Sequence, residues 1–146
     1  MAEADTQGAI SAAVYDFLTA GSPSVAAADI AWENIHFDPA GKAVWARVSF
    51  VPNQPGVITL GSRGLDRGNG FFQIDLNIPT GTGDAVLRAW YDAARAYFIA
   101  GRVFTQSAQS VVILSCGETP GRVVDNWYRK SITVFYRSDF QRNLIP

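Results

Sequence analysis

Hydrophobic and polar residues alternate with a period of two over residues 71–78. Phe72, Ile74, Leu76 and Ile78 fall on one side, and Phe71, Gln73, Asp75 and Asn77 on the other. Such alternation predicts a strand with one face on a core and one face on something wet. The same period marks residues 43–50, with Val44, Ala46, Val48 and Phe50 on one face and Trp45, Arg47 and Ser49 on the other. Residues 57–60 read as a short strand and residues 111–114 as an apolar one. The last two strands are predicted over 123–128 and 130–136, where Ile132, Val134 and Tyr136 alternate with Ser131, Thr133, Phe135 and Arg137. Two stretches carry the helical period instead. Ile10, Ala13, Val14, Phe17 and Leu18 form one stripe, which Asp5 or Thr6 would cap and Gly21-Ser22-Pro23 would end. Val86, Leu87, Trp90, Ala93, Ala94, Tyr97 and Phe98 form another over residues 84–100, with Asp84 as its N-cap and Gly101 as its C-terminal cap.

The connections carry turn chemistry. Residues 22–42 hold Pro23, Pro39 and Gly41 between the apolar anchors Ile30, Trp32, Ile35 and Phe37, and Asp38-Pro39-Ala40-Gly41 signals a turn. Pro52-Asn53-Gln54-Pro55-Gly56 breaks one strand, and Gly117-Glu118-Thr119-Pro120-Gly121 another. Gly61, Gly64, Gly68 and Gly70 lie within ten residues, which predicts a loop that is mobile in the free protein. Residues 138–146 read as a tail. Runs of strands joined by turns, with two main helices between them, predict the α+β class: a mostly antiparallel or mixed sheet with helices packed on it. At 146 residues the chain is expected to be a single domain over 1–146, with its N-terminal helix in residues 1–21.

Composition narrows the function classes. Charged residues are 17% of the chain and the net charge is −1, with arginines scattered singly from Arg47 to Arg142. A duplex DNA binder shows a basic excess or stripe, so a tight grip on DNA is disfavoured, although DNA could pass along a near-neutral surface. Cys116 is the one cysteine, so no intramolecular disulfide can form. Its place after an apolar run suggests a buried or half-buried position at a strand end. No stretch reaches the roughly 18 apolar residues of a membrane span. The N-terminus opens with acids, unlike a secretory signal, and this favours the cytoplasm.

Candidate chemistry is sparse. Gly81-x-Gly83 before a helix hints at an anion site, but Asp84-Ala85 stand where a P-loop needs lysine and a hydroxyl residue. Glu33, His36 and Asp38 are close in sequence, yet with one histidine they lack the ligand spacing of a metal site. Nothing brings Asp66 and Asp75 into one pocket as an acid–base pair. No cofactor is expected. A well-built sheet with a polar face and no catalytic set points to assembly or binding. Trp45, Phe71 and Phe135 fall where the pattern predicts exposure, and exposed aromatics on a sheet face mark subunit contacts.

In order and spacing, these segments resemble the tail terminator family of long-tailed bacteriophages. The matching pieces are the N-terminal helix, Trp32-x-x-Ile35-x-Phe37, the strand over 43–50 and the glycine-rich loop before Gly70. The strand over 71–78 with Pro79-x-Gly81-x-Gly83, the helix over 84–100 and Trp127-Tyr128-Arg129-Lys130-Ser131-Ile132-Thr133-Val134-Phe135-Tyr136 complete them. The resemblance implies a virion structural protein without catalytic residues, assembled in the host cytoplasm and placed at the head-proximal end of the tail. Family members cap the tail tube as a ring, usually of six copies, stop polymerisation of the tube protein and present a surface for the head. The implied partners are other copies of the chain, the tube protein and a head–tail connector or completion protein, with DNA only passing through the lumen. Candidate contacts are Arg63, Asp66 and Arg67 of the loop, Phe71, Gln73, Asp75 and Asn77 of the polar face, and Trp45 and Phe135. Competing expectations are a head–tail completion protein, a tube subunit, a small-ligand-binding α+β domain and a nucleic-acid binder.

Overall fold

Residues 2–53, 56–61 and 63–141 are described by the computed structural model. Among them lie two α-helices and eight strands in one mixed sheet, an α+β architecture as the periodicity predicts. The elements run α1 (Ala2–Ala20), β1 (Ile30–Ala31), β2 (Trp45–Pro52), β3 (Gly56–Val57), β4 (Leu65–Pro79), α2 (Ala85–Tyr97), β5 (Val103–Gln106), β6 (Gln109–Glu118), β7 (Arg122–Val124) and β8 (Trp127–Gln141). The strands lie in the order β1-β2-β4-β8-β6-β5, with β3 also beside β4 and β7 also beside β8. Only β1 and β2 run parallel.

The long central pair sets the frame. β4 and β8 are matched over their whole length, from Leu65 opposite Gln141 to Pro79 opposite Trp127. On one face Ala46, Val48, Phe72, Ile74, Leu76, Ile132 and Val134 are buried, as the alternation predicts. Helix α1 covers this face with Ile10, Val14, Phe17 and Leu18, and α2 with Leu87, Trp90, Ala94 and Phe98. Phe17 meets both Trp90 and Phe98 edge-on, at 5.6 and 5.2 Å between ring centroids, so the two helices lock through aromatic contacts.

Several boundaries differ from the sequence expectation, each for a physical reason. Helix α1 starts at Ala2, so Asp5 and Thr6 lie inside it. Thr6 is buried, and its hydroxyl shares a 3.0 Å hydrogen bond with that of Ser138. Helix α2 ends near Phe98, whose N–H donates to the Ala94 carbonyl. Gly101 instead turns the chain toward β5 with φ +91°. Asp84 makes no side-chain cap bond and faces Lys130 and Arg88, each at 3.4 Å. The strand expected over 57–60 shrinks to β3, and Leu60 is 89% exposed. The stretch 123–128 is not one strand. It holds a two-residue turn, Asp125-Asn126, both at positive φ, between β7 and β8. An unforeseen hairpin joins β5 to β6 through Ser107 and Ala108, also both at positive φ.

The largest correction concerns the glycine-rich segment. Residues 65–70 are strand, not mobile loop, and pair with residues 136–141 of β8. A Cβ on Gly70 would sit 2.5 Å from the Val51 carbonyl oxygen and 2.8 Å from the Pro52 Cα. Glycine there permits close backbone approach within a sheet. Of that segment, residues 61, 63 and 64 lie outside the strand, and residue 62 lies outside the described set. The expected tail likewise begins as strand, with Ser138 buried. Its residues 142–146 lie outside the described residues, as do residues 54 and 55 of the Pro52–Gly56 break.

Candidate functional site

Neither helix covers the second face of the sheet, and its character changes along the strands. At one end Trp45, Asn77 and Arg129 stand in one row and Arg47, Asp75 and Ser131 in the next. This end was expected to be wet. Instead Trp45 is 2% exposed and Asn77 fully buried, with Asp75 and Ser131 buried beside them. Loop and strand aromatics make the cover: Phe37 lies 5.1 Å from Trp45, and Trp127 meets it edge-on at 5.8 Å.

Asn77, Asp75, Ser131 and Arg129 are tied together by hydrogen bonds, while the buried Nε1 of Trp45 finds no acceptor among the described residues. The Asn77 amide donates to the backbone carbonyls of Asp75 (3.1 Å) and Trp45 (3.4 Å), while its oxygen accepts from Arg129 Nε at 2.7 Å. Asp75 accepts a short bond from the Ser131 hydroxyl and another from the Gln73 amide at 3.1 Å. Arg129 Nη1 faces it at 4.0 Å. Burial holds the Arg129 guanidinium below its ordinary pKa; Asp75 opposes that shift, and the like charges of Arg122 and Arg47 add to it. Removing one partner of such a network strands the others without a bond.

Further along, the face opens. Gln73 is half-buried, and Phe71 pairs with Phe135 at 5.3 Å between rings. Phe135 is 46% exposed, and Val51, opposite Phe71, is also exposed. These three make an apolar strip across β2, β4 and β8. At the far end Arg67 donates to both oxygens of Asp139, at 2.9 and 3.2 Å. That bond raises the pKa of Arg67 and lowers that of Asp139. Asp66 is half-buried in β4, and Arg63 is exposed in the turn before it.

The predicted site residues therefore do not form one site. Arg67 and Asn77 lie ten positions apart on one strand, roughly 33 Å at 3.3 Å per residue. Phe71, Gln73 and Phe135 share an open face. Trp45, Asp75 and Asn77 belong to a closed cluster, and Arg63, Asp66 and Arg67 to the opposite end. Val51 and the Arg47–Arg122–Arg129 grouping carry no signal in the sequence pattern. Strand register alone brings Arg122 opposite Arg129.

An open groove of about 600 Å³ between α1 and α2 is lined by Phe17, Ala20, Pro23, Ala93 and Tyr97, with Asp16 and Arg102 at its rim. Arg102 stacks on Tyr97 at 4.3 Å and donates to its carbonyl. Cys116 is half-buried within β6, and burial pushes its thiol up to about 11, away from the reactive range. Among the described residues no three His, Cys, Asp or Glu side chains gather as a metal site. His36 is exposed. No described helix is long and apolar enough to cross a membrane.

A family model described as phage tail terminator protein matches residues 9–136, from α1 into β8. The chain belongs to the phage tail terminator family. It is thus a structural protein of the phage tail and a component of the virion that contacts other tail parts. The family match takes in most of α1, all of α2 and strands β1 to β7, and ends within β8. Eight solved chains match the fold. One, 21% identical, covers 96% of this chain and 97% of its own length with a TM-score of 0.67. No curated protein matches the sequence.

Proposed function

We propose that this chain caps the tail tube as a ring, probed below as six copies, ends tube polymerisation and presents the surface on which the head is joined. The observation that carries this reading is the family match across residues 9–136. The geometry supports it. One face of the sheet is sealed by helices, and the other exposes the Val51–Phe71–Phe135 strip, an apolar patch of the kind that marks protein contacts. A ring needs two different patches that meet head to tail and close. The same reading places Arg63, at the exposed turn before β4, against the tube or a neighbouring subunit, with Asp66 and Arg67 behind it. The open part of the face, with Phe71, Gln73 and Phe135, lies against another tail component. The buried Trp45–Asp75–Asn77 cluster holds that face in shape rather than touching a partner directly.

Adding the purified protein to polymerising tube protein tests the capping step. Tubes are expected to stop lengthening as the protein is added, with six copies at one tube end. Growth at an unchanged rate would contradict the reading. Arg63→Ala combined with Arg67→Ala is expected to weaken capping; full capping by that variant would remove this end of the molecule from the contact.

A further inference from the structure

The two sides of the sheet are finished differently. At the β2 side, β1 runs beside Ala46 and Arg47, Glu33 accepts from the Phe50 N–H at 2.7 Å, and Pro52 has no N–H to offer. Charge, proline and a short covering strand are devices that keep a sheet edge from pairing with another chain. At the other side stands β5, and no strand lies beyond it among the described residues. The Arg102 carbonyl accepts from the Ile113 N–H at 2.9 Å, so the chain enters β5 with the Arg102 carbonyl facing β6. Alternation along the antiparallel ladder turns the backbone groups of Phe104 and Gln106 the same way, and those of Val103 and Thr105 outward. No hydrogen bond within the described residues takes these outward groups.

The stretch that forms this open edge carries no charge. Residues 103–117, which make β5, its turn and nearly all of β6, contain no Asp, Glu, Lys, Arg or His. Val103 is 51% exposed, and Thr105, Gln106, Ser107 and Ala108 are exposed beside it. An edge left without charge or proline is a template for association, and depletion of charge marks the centre of a protein interface. Unpaired N–H and C=O groups at strand spacing fit one kind of partner, another extended backbone. Strand β5 has 4 residues, so it admits a segment of similar length. A second copy docked head to tail does not supply that segment, because the edge it would present, at β2, is the guarded one. Pairing of β5 with β5 would make a two-fold dimer, which is an isologous contact and builds no ring.

We propose that the outer edge of β5 takes an extended, uncharged segment of a different tail protein, which adds to the sheet through the N–H and C=O groups of Val103 and Thr105. The pairing rests on the reading of this chain as a tail subunit that docks on other tail parts, and it names the edge at which one of them binds. Main-chain hydrogen bonds hold the segment. Its side chains alternate between the face that carries Val103 and Thr105 and the face that carries Phe104.

Hydrogen exchange of the Val103 and Thr105 amides, compared between the free chain and tails purified from the phage, tests the pairing directly. Both amides are expected to exchange freely in the free chain and to slow by roughly a hundredfold in tails. Equal exchange in the two would overturn the pairing. Slow exchange already in the free chain, whether from its own residues or from dimerisation, would overturn it as well. Thr105→Pro removes one outward N–H and spares the bonds to β6, since an edge strand accepts proline on its solvent side. In a phage whose own copy of the gene is disrupted, this variant is expected to leave tails of uncontrolled length, and Thr105→Ala to restore normal length. Normal tails from a Thr105→Pro chain of unchanged melting temperature would overturn the pairing. Should proline unfold the chain, Val103→Lys with Thr105→Lys puts charge on the same exposed edge, and normal tails from that variant would overturn it too. Normal tails from the disruption alone would bring down the terminator reading, while exchange in tails still decides the pairing.

Discussion

Asn77 shows how a polar residue on a strand can be structural. Its amide group ties two backbone carbonyls and the Arg129 side chain into one buried unit. Asn77→Ala leaves Arg129 Nε and both carbonyls short of a partner, and is expected to cost about 1–3 kcal/mol. Urea unfolding checks this; a change below a few tenths of a kcal/mol would mean that the network is dispensable. The Arg67–Asp139 pair acts through pH instead. The carboxyl of Asp139 is held below its ordinary value, chiefly by the hydrogen bond from Arg67. A lowered folded pKa contributes stability that is present above the unfolded value, about 3.9, and is lost as pH falls through the folded one. Asp139→Asn is therefore expected to flatten the acid side of a plot of melting temperature against pH, below about pH 4. An unchanged slope would show that the pair is not linked to folding. The alternation of residues 71–78 assigned each side chain to the right face. It could not show what covers Trp45 and Asn77, because Phe37 and Trp127 come from distant segments.

Elements with strong periodicity were legible in the sequence, and elements set by pairing were not. Both helices and the alternating parts of β2, β4 and β8 follow from residue spacing. The start of β4 did not, since glycines signal loops locally and close strand packing only in three dimensions. The hairpin at Ser107-Ala108 was hidden for a related reason: neither residue favours the left-handed conformation that both adopt. Two glycines make the distinction testable. At Gly70 a Cβ would strike backbone atoms of Val51 and Pro52, whereas at Gly8 it would meet only the end of the Gln106 side chain. Gly70→Ala is expected to destabilise the protein clearly. Gly8→Ala, inside α1, is expected to be neutral or to stabilise by up to about 1 kcal/mol, because a helical glycine is costly and Gln106 can swing aside. Melting temperatures of the two variants compare them, and equal losses would refute the assignment of residues 65–70 to a tight strand.

At the scale of the whole molecule, the chain pairs one sealed sheet face with one that is only partly closed. The family match places the chain in a phage tail. The most direct measurement is negative-stain microscopy of lysates from the parent phage with this gene disrupted. The account predicts tails of uncontrolled length, unattached to filled heads. Tails of normal length would contradict it, and if those tails were also unjoined to heads they would assign the chain to head–tail completion instead.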